Sequence, residues 1–143
     1  RHGTGDPERS PEAQVISIDT NVLARLIVND DAEQGKCAAT LLRREEVFVA
    51  KTVLLELEWV LRGAYKIERA TILKALLGVL GLPNVIAEDS ARIAAALRDY
   101  EAGLDFADAL HLSSSIEADR FVTFDEKLCK RAKALKSVEV TLL

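Results

Sequence analysis

Five acidic residues of this chain could act together chemically, and three of them, Asp105, Asp108 and Asp125, sit amid small and apolar residues where a carboxylate is expensive to keep. Asp19 follows the β-branched run Val15-Ile16-Ser17-Ile18, and Asp125 follows Phe121-Val122-Thr123-Phe124. Asp105 and Asp108 open the segment Asp-Phe-Ala-Asp-Ala-Leu-His-Leu, and Glu56 interrupts a Leu- and Val-rich stretch. Isolated carboxylates avoid apolar surroundings unless something offsets their charge. When several converge they repel one another, and Mg²⁺ or Mn²⁺ is the usual cation that neutralises them. An ion so held can activate water and stabilise an in-line phosphoryl displacement. Paired ions about 3.5–4 Å apart clamp the attacking and leaving oxygens.

Other chemistries lack their residues. There is no Ser-His-Asp or Cys-His pattern, no Gly-x-x-x-x-Gly-Lys and no Gly-x-Gly-x-x-Gly. His111 is the one histidine of the folded part, and it reads as a helix residue near the site rim. Helix capping is the competing explanation for some of the acids. It suits Asp19 and Asp105, since aspartate is favoured at N-caps. It suits Asp108 less well, because Ala107, Ala109 and Leu112 surround it.

The elements that must position these acids alternate along the chain. Short strands are expected at Val15–Ile18, 47–49, 85–86, 121–124 and 138–142. Helical periodicity follows Asp19, where Val22, Leu23, Leu26 and Ile27 recur, then covers 30–44, 52–65, 68–80, 90–99, 106–117 and 125–136. In the second helix Cys37, Ala38, Leu41 and Leu42 are expected inward; Asp99 and Glu101 are expected on a solvated side. Alternating strands and helices imply an α/β fold, a central parallel sheet with helices on both faces. In such sheets ligands bind outside the carboxyl ends of the strands, where Asp19 and Asp125 both fall. In the helix from Thr52, Glu56 and Glu58 border the apolar face on opposite sides at about 100° per residue. Periodicity does not choose between them. Glu58 has Arg62 four residues on, suited to a surface ion pair. That leaves Glu56 as the better site candidate.

At 143 residues, 49% hydrophobic and 29% charged, the chain is one domain's worth. Residues 1–14 carry Gly, Pro and charge without apolar periodicity. They read as a disordered N-terminal extension or expression remnant, with the folded domain spanning 15–143. No apolar run approaches the roughly 18–20 residues that span a bilayer. Cys37 and Cys129, far apart and without a metal-binding grouping, read as free buried thiols of a cytoplasmic protein. A net charge of −4 argues mildly against nucleic acid, but Lys127, Lys130, Arg131, Lys133 and Lys136 crowd the last 20 residues.

Four stretches, taken in order, carry a resemblance. Ile-Asp19-Thr-Asn21-Val-Leu, Leu-Glu56-Leu-Glu-Trp-Val-Leu, Phe-Ala-Asp108-Ala-Leu and Thr123-Phe-Asp125 resemble the acidic motifs of the PIN domain, most closely the VapC-type toxins of toxin–antitoxin pairs. The likeness runs from Val15 to Leu143. It implies that Asp19, Glu56, Asp108 and Asp125 hold one or two Mg²⁺ or Mn²⁺ ions, with Asp105 as an additional acidic member. Asn21 and Thr123 would orient the acids. The implied activity is endoribonuclease cleavage of RNA by metal-activated water, and the implied partners are a VapB-type antitoxin and a second copy in a homodimer. Lys127, Lys130 and Arg131 would then collect RNA phosphates with an ionic-strength-dependent effect, although a Lys/Arg-rich helix is also what a solvated face looks like. Trp59, on the polar side of its helix, invites an interface reading or partial burial under a neighbour.

Two rivals remain. A phosphatase of the haloacid dehalogenase type wants a second Asp two residues after the first, where this chain has Asn21. A catalytically weak PIN-like module for RNA binding or scaffolding predicts loss of an acid, and all four are intact.

Overall fold

Strands and helices alternate along the chain as the periodicity implies. The computed structural model describes residues 14–135 and 138–143. The expected extension, apart from Gln14, lies outside the described residues, as does the expected helix end at Lys136. The elements are β1 (Val15–Ser17), α1 (Thr20–Val28), α2 (Ala32–Arg44), β2 (Glu46–Val49), α3 (Lys51–Gly63), α4 (Arg69–Leu80), β3 (Val85–Ala87), α5 (Ser90–Glu101), α6 (Phe106–Ser113), β4 (Phe121–Thr123), α7 (Glu126–Lys133) and β5 (Val140–Leu142).

β1, β2 and β3 form a parallel sheet in that order, with Ile16 opposite Val47 and Phe48 opposite Ile86. β4 and β5 pair in parallel with Phe121 opposite Val140. Among the described residues no ladder joins the two, so the expected parallel sheet is present as a three-stranded and a two-stranded piece. Strands of three or four residues make only a few ladder bonds each, and helix packing carries most of the cohesion. All strand pairs are parallel, as helical crossovers require.

α3 is the central helix. Leu54, Leu57 and Leu61 are fully buried, and α3 packs against α1, α4 and α6. Burying a leucine stabilises by about 1.5–3 kcal/mol, so this seam fixes how α3 is rotated. In α2 the buried row is Gly35, Ala38 and Leu42. Cys37, one residue and about 100° from Ala38, is therefore exposed rather than inward, whereas Cys129 is buried and both are free.

α5 ends in a tight reversal that delivers the chain to α6. Leu104 N–H donates to Asp99 O and Gly103 N–H to Tyr100 O, both at 3.0 Å, which is the paired bonding of a Schellman motif. Gly103 takes φ +112°, a region that disfavours any side chain. Arg69 then clamps the turn: its Nη2 donates to Tyr100 O at 2.6 Å and Leu104 O at 2.9 Å, and its guanidinium lies 4.0 Å over the Tyr100 ring. Tyr100 meets Phe106 edge to face at 5.3 Å, pinning the first residue of α6. A Cβ on Gly103 would meet nothing within 4 Å. Gly103→Ala is therefore expected to lose about 1–3 kcal/mol through backbone strain alone; an unchanged urea midpoint would rule out strain at this turn.

Candidate functional site

Three of the five acids are helix caps. Asp19 Oδ1 accepts from Asn21 N at 3.2 Å at the start of α1. Asp105 Oδ2 accepts from Asp108 N at 3.2 Å at the start of α6, and Asp125 Oδ1 accepts from Leu128 N at 3.1 Å at the start of α7. Each cap fixes the side chain through one oxygen and leaves the other for a ligand. Capping and site chemistry are thus compatible at the same residue. Thr123 Oγ1 accepts from the Asp125 backbone N–H at 3.0 Å, holding the turn that presents Asp125. Asn21 meets Asp19 through its backbone N–H, and its side chain lines a shallow groove between α1 and α2.

Asp108 is different. It is half-buried in the first turn of α6, and burial foremost pushes its carboxyl above the usual carboxylate range. The charges of Asp105 and Asp125 push it further the same way, and His111, one turn along, pulls it back. So the charges of Asp105 and of Asp125, which belongs to a different element, both reach Asp108 across space. Arg131 helps to hold them so: its Nη1 donates to Gly103 O at 2.9 Å, tying α7 to the turn just ahead of Asp105. Lys127 and Lys130 are exposed on the same helix.

Glu56 and Asp19 meet through a residue that sequence reasoning passed over. Thr20, 5% exposed, donates its hydroxyl to Glu56 Oε1 at 2.5 Å. That bond brings the exposed Glu56 to the carboxyl end of β1, beside Asp19. α3 packs against both α1 and α6 and so connects this pair to the Asp108 group.

Glu58 overturns the expectation of a surface pair. It is 2% exposed. Its carboxylate receives Arg62 Nε at 2.8 Å and Nη2 at 3.3 Å, and the Tyr100 hydroxyl donates to it at 3.0 Å. Burial and the neighbouring Glu58 charge raise the Tyr100 phenol far above its usual range, so it stays a donor. The ion pair with Arg62 was legible four residues along; the burial was not, because Tyr100 is 42 residues away. Asp99 likewise lies half-buried where α5 meets α6, and burial raises its carboxyl.

The donor set near the strand ends is all carboxylate, exposed except for the half-buried Asp108, and oxygen donors of this kind suit a hard divalent cation. Among the described residues no three acidic, imidazole or thiol groups stand close enough to ligate one ion as they are.

Residues 16–134 match the family model of the PIN domain, a span that contains all five acids. The chain belongs to the PIN domain family. Solved structures similar to this PIN domain include VapBC2 of Rickettsia felis bound to a DNA fragment from its promoter, at 18% identity over 90% of this chain and 98% of that one, with a TM-score of 0.37. Another is Mycobacterium tuberculosis VapC20, a Sarcin-Ricin loop cleaving toxin, at 20% identity over 89% and 98%, with a TM-score of 0.41. Among curated proteins the chain has no sequence match.

The two glutamates of α3 separate by experiment. Glu58→Gln keeps the shape of the buried side chain but removes the carboxylate bonded by the half-exposed Arg62 guanidinium and the buried Tyr100 hydroxyl, and is expected to lose about 1–3 kcal/mol in urea melts. Glu56→Gln, exposed and still able to accept from Thr20, stays within about 0.5 kcal/mol of the parent. Equal losses would contradict the assignment of one glutamate to the core and the other to the site.

Proposed function

We propose that this PIN domain is a metal-dependent endoribonuclease of the VapC toxin type. Asp19, Glu56, Asp108 and Asp125, with Asp105 as a further member, hold Mg²⁺ or Mn²⁺ and cut RNA phosphodiester bonds. The observation that carries the reading is Asp108, a half-buried carboxyl placed against two other aspartates where its charge is unfavourable. Folding alone gains nothing from that arrangement, and perturbed carboxylates gathered at one place mark functional sites. A bound divalent ion supplies Lewis acidity for the phosphoryl oxygen and makes water a nucleophile at neutral pH.

The chain's own residues do the positioning. Helix-capping bonds fix the rotamers of Asp19, Asp105 and Asp125, and Thr20 fixes Glu56. Thr123 holds the backbone turn behind Asp125. Lys127 and Lys130 supply cations beside Asp125 for the RNA backbone, and Arg131 does so with the N–H groups not engaged by Gly103.

A VapB-type antitoxin that covers the acids, a homodimer and a cytoplasmic location belong to the same reading. They rest on the motif likeness together with family membership. Among the described residues no helix is long and apolar enough to cross a membrane.

Protein purified free of antitoxin is expected to cleave RNA in Mg²⁺ or Mn²⁺ and to stop on chelation. Asp19→Asn and Asp108→Asn should abolish cleavage, and Thr123→Val should slow it by about 10–100-fold, the usual effect of disturbing an outer support. Cleavage that survives both Asp→Asn changes, or that ignores chelation, contradicts the proposal.

A further inference from the structure

Trp59 is the only tryptophan of the chain, and it is 65% exposed. Its place on α3 is the notable point. The buried row of Leu54, Leu57, Glu58 and Leu61 turns one stripe of α3 to solvent, and that stripe carries Thr52, Glu56, Trp59 and Arg62. Residues three or four apart on a helix are neighbours, about 5–6 Å between Cβ atoms. The indole therefore stands between a carboxylate of the site and a guanidinium. Arg62 is not a loose surface cation. Buried Glu58 grips its Nε and Nη2, and Asp105 adds its charge to the surroundings of the same guanidinium.

A site carboxylate, a flat aromatic face and a fixed positive charge lie along one short row. We propose that Trp59 is a stacking platform for an unpaired base next to the scissile phosphate, with Arg62 beside it facing the RNA backbone. The inference rests on the ribonuclease reading and adds the residue that would hold a splayed-out base beside the cut. Base–aromatic stacking needs an unstacked base, which a duplex does not offer. A protein partner seated on Trp59 would lie within one helical turn of Glu56 and cover that acid too. Such a partner and the RNA base would compete for the same indole.

Because Trp59 is the lone tryptophan, its emission reports on the platform directly. The full chain in Mg²⁺ is titrated with a mixed-sequence single-stranded 12-nucleotide RNA and, separately, with the same sequence as a blunt duplex. The single strand is expected to quench Trp59 saturably and the duplex to leave it bright. Trp59→Ala is expected to weaken binding of labelled single strand by roughly 5- to 100-fold. Trp59→Phe should keep most of the affinity, and both variants should melt with the parent. Single-strand binding with unchanged emission, or undiminished binding by Trp59→Ala, overturns the platform and leaves the ribonuclease reading standing. A parent protein that neither binds nor cleaves any RNA overturns both. If Trp59 is shielded from acrylamide before RNA is added, and Trp59→Ala converts a dimer to a monomer, the indole belongs to a contact between copies and the platform falls.

Discussion

Like charges gathered in a partly buried place repel, and the structure holds Asp108 in that condition. Burial and the charges of Asp105 and Asp125 all disfavour its ionised form. Its folded pKa lies above the ordinary 3.8, so the penalty is absent when the carboxyl is protonated in both states, grows as pH rises from the unfolded value toward the folded one, and is complete above it. At neutral pH Asp108 therefore works against folding. Much of the surrounding architecture supplies the opposing stability: the Schellman turn at Gly103, the Arg69 clamp, the Tyr100–Phe106 contact and the Arg131 tie.

A second buried charge makes that support rigid. Glu58 sits in the core with Arg62 and Tyr100 as partners, and Tyr100 is also the residue that Arg69 covers and Phe106 packs against. One network thus runs from the middle of α3 to the start of α6. A buried carboxylate held by a half-exposed guanidinium and a buried hydroxyl favours a single arrangement of the helix that carries it. Here the arrangement it defines is the rotation of α3, which faces Glu58 inward and Glu56 and Trp59 outward.

What the sequence showed and hid follows from the range of each interaction. The strand-to-helix junctions at Asp19 and Asp125, and the spacing of Asp105 and Asp108, are local patterns, and the chain folds there as the pattern implies. The pairing of Glu58 with Arg62 was also readable locally, because the two are four residues apart. The burial of Glu58 was not reachable, since Tyr100 lies on another helix. Thr20 escaped notice because its partner, Glu56, is 36 residues away. Cys37 was misplaced because hydropathy counts cysteine as inward-facing, whereas Gly35 and Ala38 set the close face of α2. The division of the sheet into two pieces depends on register between very short strands, which composition does not encode.

The claim on which the rest depends is that a divalent cation relieves the repulsion at Asp108. Thermal melting of the purified protein at neutral pH, in chelator and then across a Mn²⁺ titration, tests it without any substrate. The account predicts a melting temperature that rises and saturates with Mn²⁺. It also predicts an Asp108→Asn variant that melts higher than the parent in chelator and gains little from the ion. A parent whose melting ignores Mn²⁺, or an Asp108→Asn variant that responds as the parent does, would contradict it.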